Sequence, residues 1–276
     1  MSFLVISDYD ELFTSLYDGS IDFIGSVWCP DGHKTYLDGH TLGEDYIIVG
    51  TTSDKGVFFW MTTPAAYDSG ILSIDDLADP SKTEGFDMRV YMTSSPDTGL
   101  TMFSSEIIDS LNAQRQAINP SASLFYYNDT WNEEVSASVY SMLDNSSSYS
   151  EKFLVTWWTP WWGYEYYIAN GQYKELSNGV TGSQYFGRIN RGTTLSTPMF
   201  AKSGVIDSTT WNVLASIDVG NDAINYMDSY LHNHSSATIY DAFDIMMADP
   251  RYSYWYRDYR NMSTFLGAPT VCTSEK

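Results

Sequence analysis

Short apolar runs alternate with helix-spaced apolar stripes along this chain, a pattern that predicts a mixed α/β protein. Phe3-Leu4-Val5-Ile6 reads as a strand, and Ser7 or Asp8 then caps a helix with Tyr9, Leu12, Phe13 and Leu16 on one face. Asp18-Gly19 ends that helix, and a second strand over residues 21–28 completes a strand-helix-strand unit. Residues 31–45 are polar and glycine-bearing and read as a loop. Residues 46–49 and 57–61 predict short strands, and Asp75-Asp76-Leu77 predicts the first turn of a short helix, its acids at the positive end of the dipole.

A strand at 89–92 leads into the hydroxyl-rich loop 93–99, which opens a helix over 102–118. A helix over 132–143, a serine-rich loop at 145–150 and a strand from Phe153 follow. Beyond a tyrosine-rich segment at 164–173, residues 177–198 read as irregular. From Ser208 the spacing of Trp211, Leu214, Ile217, Ile224, Met227 and Leu231 predicts helix. A last helix at 241–247 precedes an aromatic tail at 252–259.

The stretch that organises the chain is Phe153 to Trp162, FLVTWWTPWW, which gathers four of the nine tryptophans. Phe153 to Thr156 have the character of a buried strand, and Thr159-Pro160 stops its ladder because proline has no amide hydrogen to donate. The indoles therefore stand at a strand's carboxyl end, where open α/β sheets collect ligands. An earlier run, FIGSVWCP at 23–30, also ends in Trp-x-Pro: Trp28-Cys29-Pro30 matches Trp158-Thr159-Pro160. Two such ends, half a chain apart, suggest two lobes facing a cleft. Indole faces are the best side-chain partners for an organic cation, at about 2 kcal/mol each when desolvated. Two faces supply only about millimolar affinity, so a third wall or an anion contact is needed as well.

Composition narrows the partners. The formal charge of −21, with 14 lysines and arginines against 35 acids, argues against nucleic acid and anionic membranes. With 43% hydrophobic residues the chain is able to bury a core. Cys29 and Cys272 are its two cysteines, too far apart to define a framework, and whether they pair stays open. His232 and His234 read as exposed helix-end residues, and His33 and His40 flank an acidic loop in which zinc is a minor alternative. The pairs Asp75-Asp76 and Glu133-Glu134 read as early-helix charges.

The paired Trp-x-Pro ends, the TWWTPWW motif and the segment order between them resemble the substrate-binding proteins of glycine betaine and related quaternary-amine ABC importers. The approach LYDGSIDF at 16–23 is similar to that family's first-lobe segment, residues 56–77 to its crossover, and residues 211–256 to its closing helices. The resemblance implies a two-lobed α/β fold of the type II periplasmic-binding-protein kind, with a ligand cleft between the lobes. Its first lobe would span 1–90, its second 91–185, and 186–276 would return to the first. It implies capture of a trimethylammonium or dimethylsulfonium headgroup between Trp28 and Trp158, without catalysis, cofactor or metal. Cys29, His33, Thr98, Trp157, Thr159 and Trp161 join them as ligand-site candidates, with His33 and the stretch from Ser94 to Gly99 expected to hold a ligand carboxylate. The partners implied are a betaine-like small molecule and the membrane subunits of an ABC transporter. The implied protein is a monomer that binds no nucleic acid and works in the periplasm or outside the cell.

Three departures qualify that pattern. Thr98 stands where the family often places a third tryptophan, leaving Trp157, Trp161 or Trp60 to substitute. Gly32 stands where relatives often carry a carboxylate-binding histidine, with His33 one residue late. The family's strand and helix before the segment matched to residues 1–6 have no counterpart in this sequence, as expected of a fragment, a mis-started gene model or a degenerate relative. Two other classes compete: a carbohydrate-active protein using Glu165 and Asp31 across the aromatic surface, and a sensor or degenerate binding-protein-like domain without a transport role.

Overall fold

The computed structural model describes residues 6, 8–29, 32–53, 56–93, 98–127, 133–177, 198–215 and 219–252. Its elements in chain order begin with α1 (Tyr9–Asp18), β1 (Phe23–Ile24), α2 (Lys34–Leu37), β2 (Tyr46–Thr51), β3 (Val57–Thr62) and α3 (Pro64–Asp68). Next come β4 (Arg89–Tyr91), α4 (Gly99–Ile118), β5 (Tyr126–Tyr127), α5 (Glu133–Asp144), β6 (Leu154–Thr159) and β7 (Lys174–Glu175). The last are β8 (Pro198–Lys202), α6 (Ser208–Leu214), α7 (Asn221–Asn233) and α8 (Ile239–Ala248). The chain divides into two units, 1–56 with 195–276, and 57–194.

In the first unit β8 lies between β1 and β2, antiparallel to both. Strand alternation sorts its side chains. Tyr46, Ile48 and Phe200 pack with Phe13 and Leu16 of α1, while Val49, Met199 and Ala201 pack with Leu214 of α6. A register shift between Ile48 and Gly50 brings the backbone against α6: a Cβ on Gly50 would lie 2.7 Å from the Leu214 carbonyl oxygen. The capping residue of α1 is Asp8, whose carboxylate accepts from the Glu11 amide at 2.9 Å, and Gly19 closes the helix at φ 84°. The strand expected over 21–28 pairs only at Phe23 and Ile24, because the polar interruption at Gly25-Ser26 ends the ladder. Within the expected loop at 31–45 lies the single turn α2.

The second unit carries a mixed sheet in the order β5-β4-β6-β3-β7. Strands β4 and β6 run parallel, and β3 pairs antiparallel with β6 from Val57↔Thr159 to Thr62↔Leu154. This six-rung ladder holds Val57–Thr62 in the second unit, where the sequence drew its lobe boundary at 90. Trp60 is fully buried and its indole donates to Ser104 Oγ of α4 at 3.0 Å, fixing that helix on the sheet. Arg115, 2% exposed on α4, donates from Nη1 to the Leu77 carbonyl and Thr83 Oγ1, and from Nε to the Ser123 carbonyl. The helix expected at 102–118 starts earlier, at Gly99.

The continuous helical pattern from Ser208 is realised as α6 and α7, and the tyrosine-rich segment winds as a π-helix, Tyr164–Ala169. Several sequence expectations lie outside the described residues: Phe3-Leu4-Val5 of the first strand, Ser7, Asp31, Ser94 to Asp97, the Glu165 side chain, Ile217, Cys272 and residues 253–259 of the aromatic tail.

Candidate functional site

The first unit presents Trp28, half-buried, at the end of the segment that follows β1. Five residues on, His33 folds back onto it. The Trp28 amide donates to His33 Nδ1 at 3.0 Å, and the His33 amide donates to the Trp28 carbonyl at 2.9 Å. A backbone N–H is only ever a donor, so Nδ1 is the unprotonated acceptor and a neutral ring carries its proton on Nε2. Beneath the turn lies Gly32, where a Cβ would come within 2.3 Å of Trp28 Cβ. No side chain fits at 32, which accounts for the absence of a histidine there.

Helix α1 supplies the wall behind this turn. Tyr9 and Phe13, one helical turn apart, place their rings 4.7 and 5.7 Å from the imidazole, and Tyr36 lies 6.2 Å away. His33 is 6% exposed, and burial pushes its pKa down from 6.5 to about 4. Cys29 is buried alongside, in the core with Val27 and Phe200. His40 stacks on Tyr17 with ring centres 3.5 Å apart and lies 3.7 Å from Asp45. No group of three or more His, Cys, Asp or Glu placed to hold a metal ion occurs among the described residues.

The second unit carries the tryptophan motif at the carboxyl end of β6. Adjacent strand residues point to opposite faces, yet Trp157 and Trp158 lie alongside each other, 5.4 Å between ring centres and 15° between planes. Trp161 follows at 4.1 Å from Trp157, and Tyr167 at 5.7 Å from Trp161, so four rings form one column. Trp157, Trp161 and Trp162 are 1%, 4% and 8% exposed; Trp158, at the end of the column, is half-buried. Trp162 stacks on Tyr140 of α5 at 5.7 Å and 22°. A Cβ on Gly163 would fall 2.1 Å from Trp161 Cζ2, so the chain passes directly over that indole. Tyr167 closes the column by donating to Asp144 Oδ1.

Thr159 is buried at the last rung, opposite Val57. Beside it, the parallel strand β4 leads to Thr93, whose hydroxyl donates to the Thr156 carbonyl and whose amide donates to Thr156 Oγ1 at 3.3 Å. The carboxyl ends of β4 and β6 are thus tied together, and Thr98 stands at the N-cap position of α4 without a capping bond from its side chain. Trp60, a candidate third wall, lies in the core beneath α4 instead.

Sequence reasoning named Trp28, Cys29, His33, Thr98, Trp157, Trp158, Thr159 and Trp161. The structure brings Trp28, Cys29 and His33 together in the first unit and the other residues to one sheet edge in the second. It also shows residues that sequence reasoning passed over. Gly32 was considered only as a missing histidine, and Gly163 not at all, although a glycine two or four residues from a tryptophan is the available signal for close backbone approach. Tyr9, which helical spacing places on one face with Leu12, Phe13 and Leu16, is a wall against His33.

Residues 5–124 match the family described as the substrate binding domain of ABC-type glycine betaine transport system. This is the family that the paired Trp-x-Pro ends resemble. The match includes Trp28 and His33 and ends before the TWWTPWW motif. No curated protein matches the chain in sequence. Among solved structures, lactococcal OpuAC, in its closed conformation with glycine betaine, is similar over 92% of this chain and 83% of its own, at 15% identity and a TM-score of 0.62. An ABC-transporter choline binding protein in complex with choline is similar over 89% and 78%, at 15% identity and a TM-score of 0.61. The glycine betaine/L-proline-binding protein ProX of Borrelia burgdorferi is similar over 90% and 86%, at 15% identity and a TM-score of 0.61. These likenesses establish the two-lobed α/β fold of type II periplasmic binding proteins.

Proposed function

We propose that this chain is a solute-binding protein that captures a small quaternary ammonium or sulfonium osmolyte, of the glycine betaine kind, for uptake by an ABC transporter. The observation that carries the proposal is the aromatic column of the second unit: three of its rings belong to buried residues, and Trp158 at its end is half-buried. A tryptophan backed by stacked rings is rigid, so it presents a π face without loss of side-chain entropy on binding. The first unit offers Trp28 in a comparably fixed setting, and the proposal assigns it as the second wall. Thr98 and the start of α4 are assigned to a ligand carboxylate, since helix-start amides favour anions. The membrane subunits of the transporter are the proposed protein partners, in the periplasm or outside the cell, with no catalytic role. No helix among the described residues is long and apolar enough to cross a membrane.

Calorimetric titration of the purified chain with glycine betaine, choline and dimethylsulfoniopropionate tests this reading. Trp158→Ala should weaken the binding of whichever ligand is taken by about thirtyfold, the equivalent of about 2 kcal/mol of cation–π attraction. A folded wild-type chain that takes up none of the three at millimolar concentration refutes it.

A further inference from the structure

We propose that His33 is a positioning residue for Trp28, holding that residue's backbone through Nδ1 rather than meeting a ligand carboxylate. The inference rests on Trp28 being a ligand wall, as proposed above, but its structural half stands without a ligand. Four observations converge. The Trp28 amide is received by Nδ1 at 3.0 Å, and the His33 amide returns a bond to the Trp28 carbonyl at 2.9 Å, so the residue is gripped at both of its backbone polar groups. Gly32 permits the turn to close to that distance, since any Cβ there would strike Trp28 Cβ. Tyr9, Phe13 and Tyr36 enclose the imidazole, which is 6% exposed and so fixed in orientation. Burial also holds the ring neutral near pH 7, as an acceptor Nδ1 requires.

The side chains of asparagine and glutamine separate the two roles. Asparagine Oδ1 occupies nearly the position of histidine Nδ1 and is able to receive the Trp28 amide; glutamine places its amide near Nε2, where only a direct ligand contact would be served. Glycine betaine and choline separate them again, because only the first has a carboxylate. His33→Asn should bind both ligands within about threefold of wild type, and His33→Gln should lose about tenfold on both, the size of one hydrogen bond to a buried group. Amide hydrogen exchange read by NMR needs no ligand: the Trp28 amide should stay protected in wild type and His33→Asn and lose protection in His33→Gln.

Wild-type long-range nitrogen–proton correlation guards against variants that fail to fold, and should show His33 as the neutral ring protonated on Nε2. A proton on Nδ1 in the wild type overturns the proposal. So does a His33→Gln variant that restores betaine binding while choline is indifferent to every substitution at 33. If the exchange pattern holds but the wild type binds neither ligand, the proposed function fails and the holding role of His33 stands.

Discussion

At the scale of single residues, His33 carries the plainest consequence for stability. In the unfolded chain its ring titrates near 6.5, and in the folded protein burial lowers that to about 4. Between those values the unfolded state binds more protons than the native state, so stability must rise with pH. The contribution is fully present above 6.5, shrinks as pH falls through the window and is gone near 4; over the whole window it amounts to about 3 kcal/mol. The tyrosine rings that face the imidazole are Tyr9, whose pKa burial raises further from this window, and Tyr36. Urea unfolding at pH 7 and pH 4.5 should show the loss in the wild type and a flattened difference in His33→Asn. Equal pH dependence in the two proteins contradicts the assignment. The sequence made His33 a candidate because it lies close to Trp28. What its side chain does was not legible, because the choice between Nδ1 and Nε2 depends on a turn set by Gly32 and on a helix twenty residues upstream.

At the scale of elements, the tryptophan motif shows how a strand end becomes a surface. The sequence correctly placed FLVT in a buried strand that stops at Pro160, but its candidate Trp161 is packed as deeply as Trp162. It could not order the other indoles, because strand alternation puts Trp157 and Trp158 on opposite faces, whereas the rings lie side by side where the strand ends. Packing decides the outcome. Trp157 and Trp161 each bury about 200 Å², about 5 kcal/mol of transfer free energy apiece, and fill the space among Phe59, Val155 and Tyr167. Trp158 is left at the margin. Gly163 is the hinge of this arrangement, so Gly163→Ala should force Trp161 out of contact with the overlying backbone. We expect a loss of about 1–3 kcal/mol in unfolding free energy and a changed near-ultraviolet circular dichroism from the displaced indoles. A variant with unaltered stability and spectrum would show that the chain does not press on that ring.

At the scale of the whole molecule, the two-lobed fold was legible in broad outline and its seams were not. Short strands alternating with helices, and two Trp-x-Pro ends half a chain apart, pointed to the class of fold that the solved structures share. The lobe boundary drawn at 90 differs from the division at 56/57, because nothing in VFFWMT reveals that its partner is Leu154–Thr159 rather than a strand nearer in sequence. Long-range pairing is what a local pattern does not encode. The excess of acids, net charge −21, surrounds this fold with negative potential that at low salt favours cations such as choline and leaves zwitterions such as betaine unsteered.

The central claim is that indole faces recognise a positive charge, not merely the shape of a trimethyl group. The most direct measurement is a titration that compares choline with 3,3-dimethylbutan-1-ol, its uncharged carbon isostere, and glycine betaine with 3,3-dimethylbutanoate. The account predicts that at least one charged headgroup binds tighter than its isostere by about thirtyfold or more, the worth of one desolvated cation–π contact, and that Trp158→Ala narrows the gap. Equal affinity for headgroup and isostere would mean a greasy pocket of the right size, and the claim would be wrong.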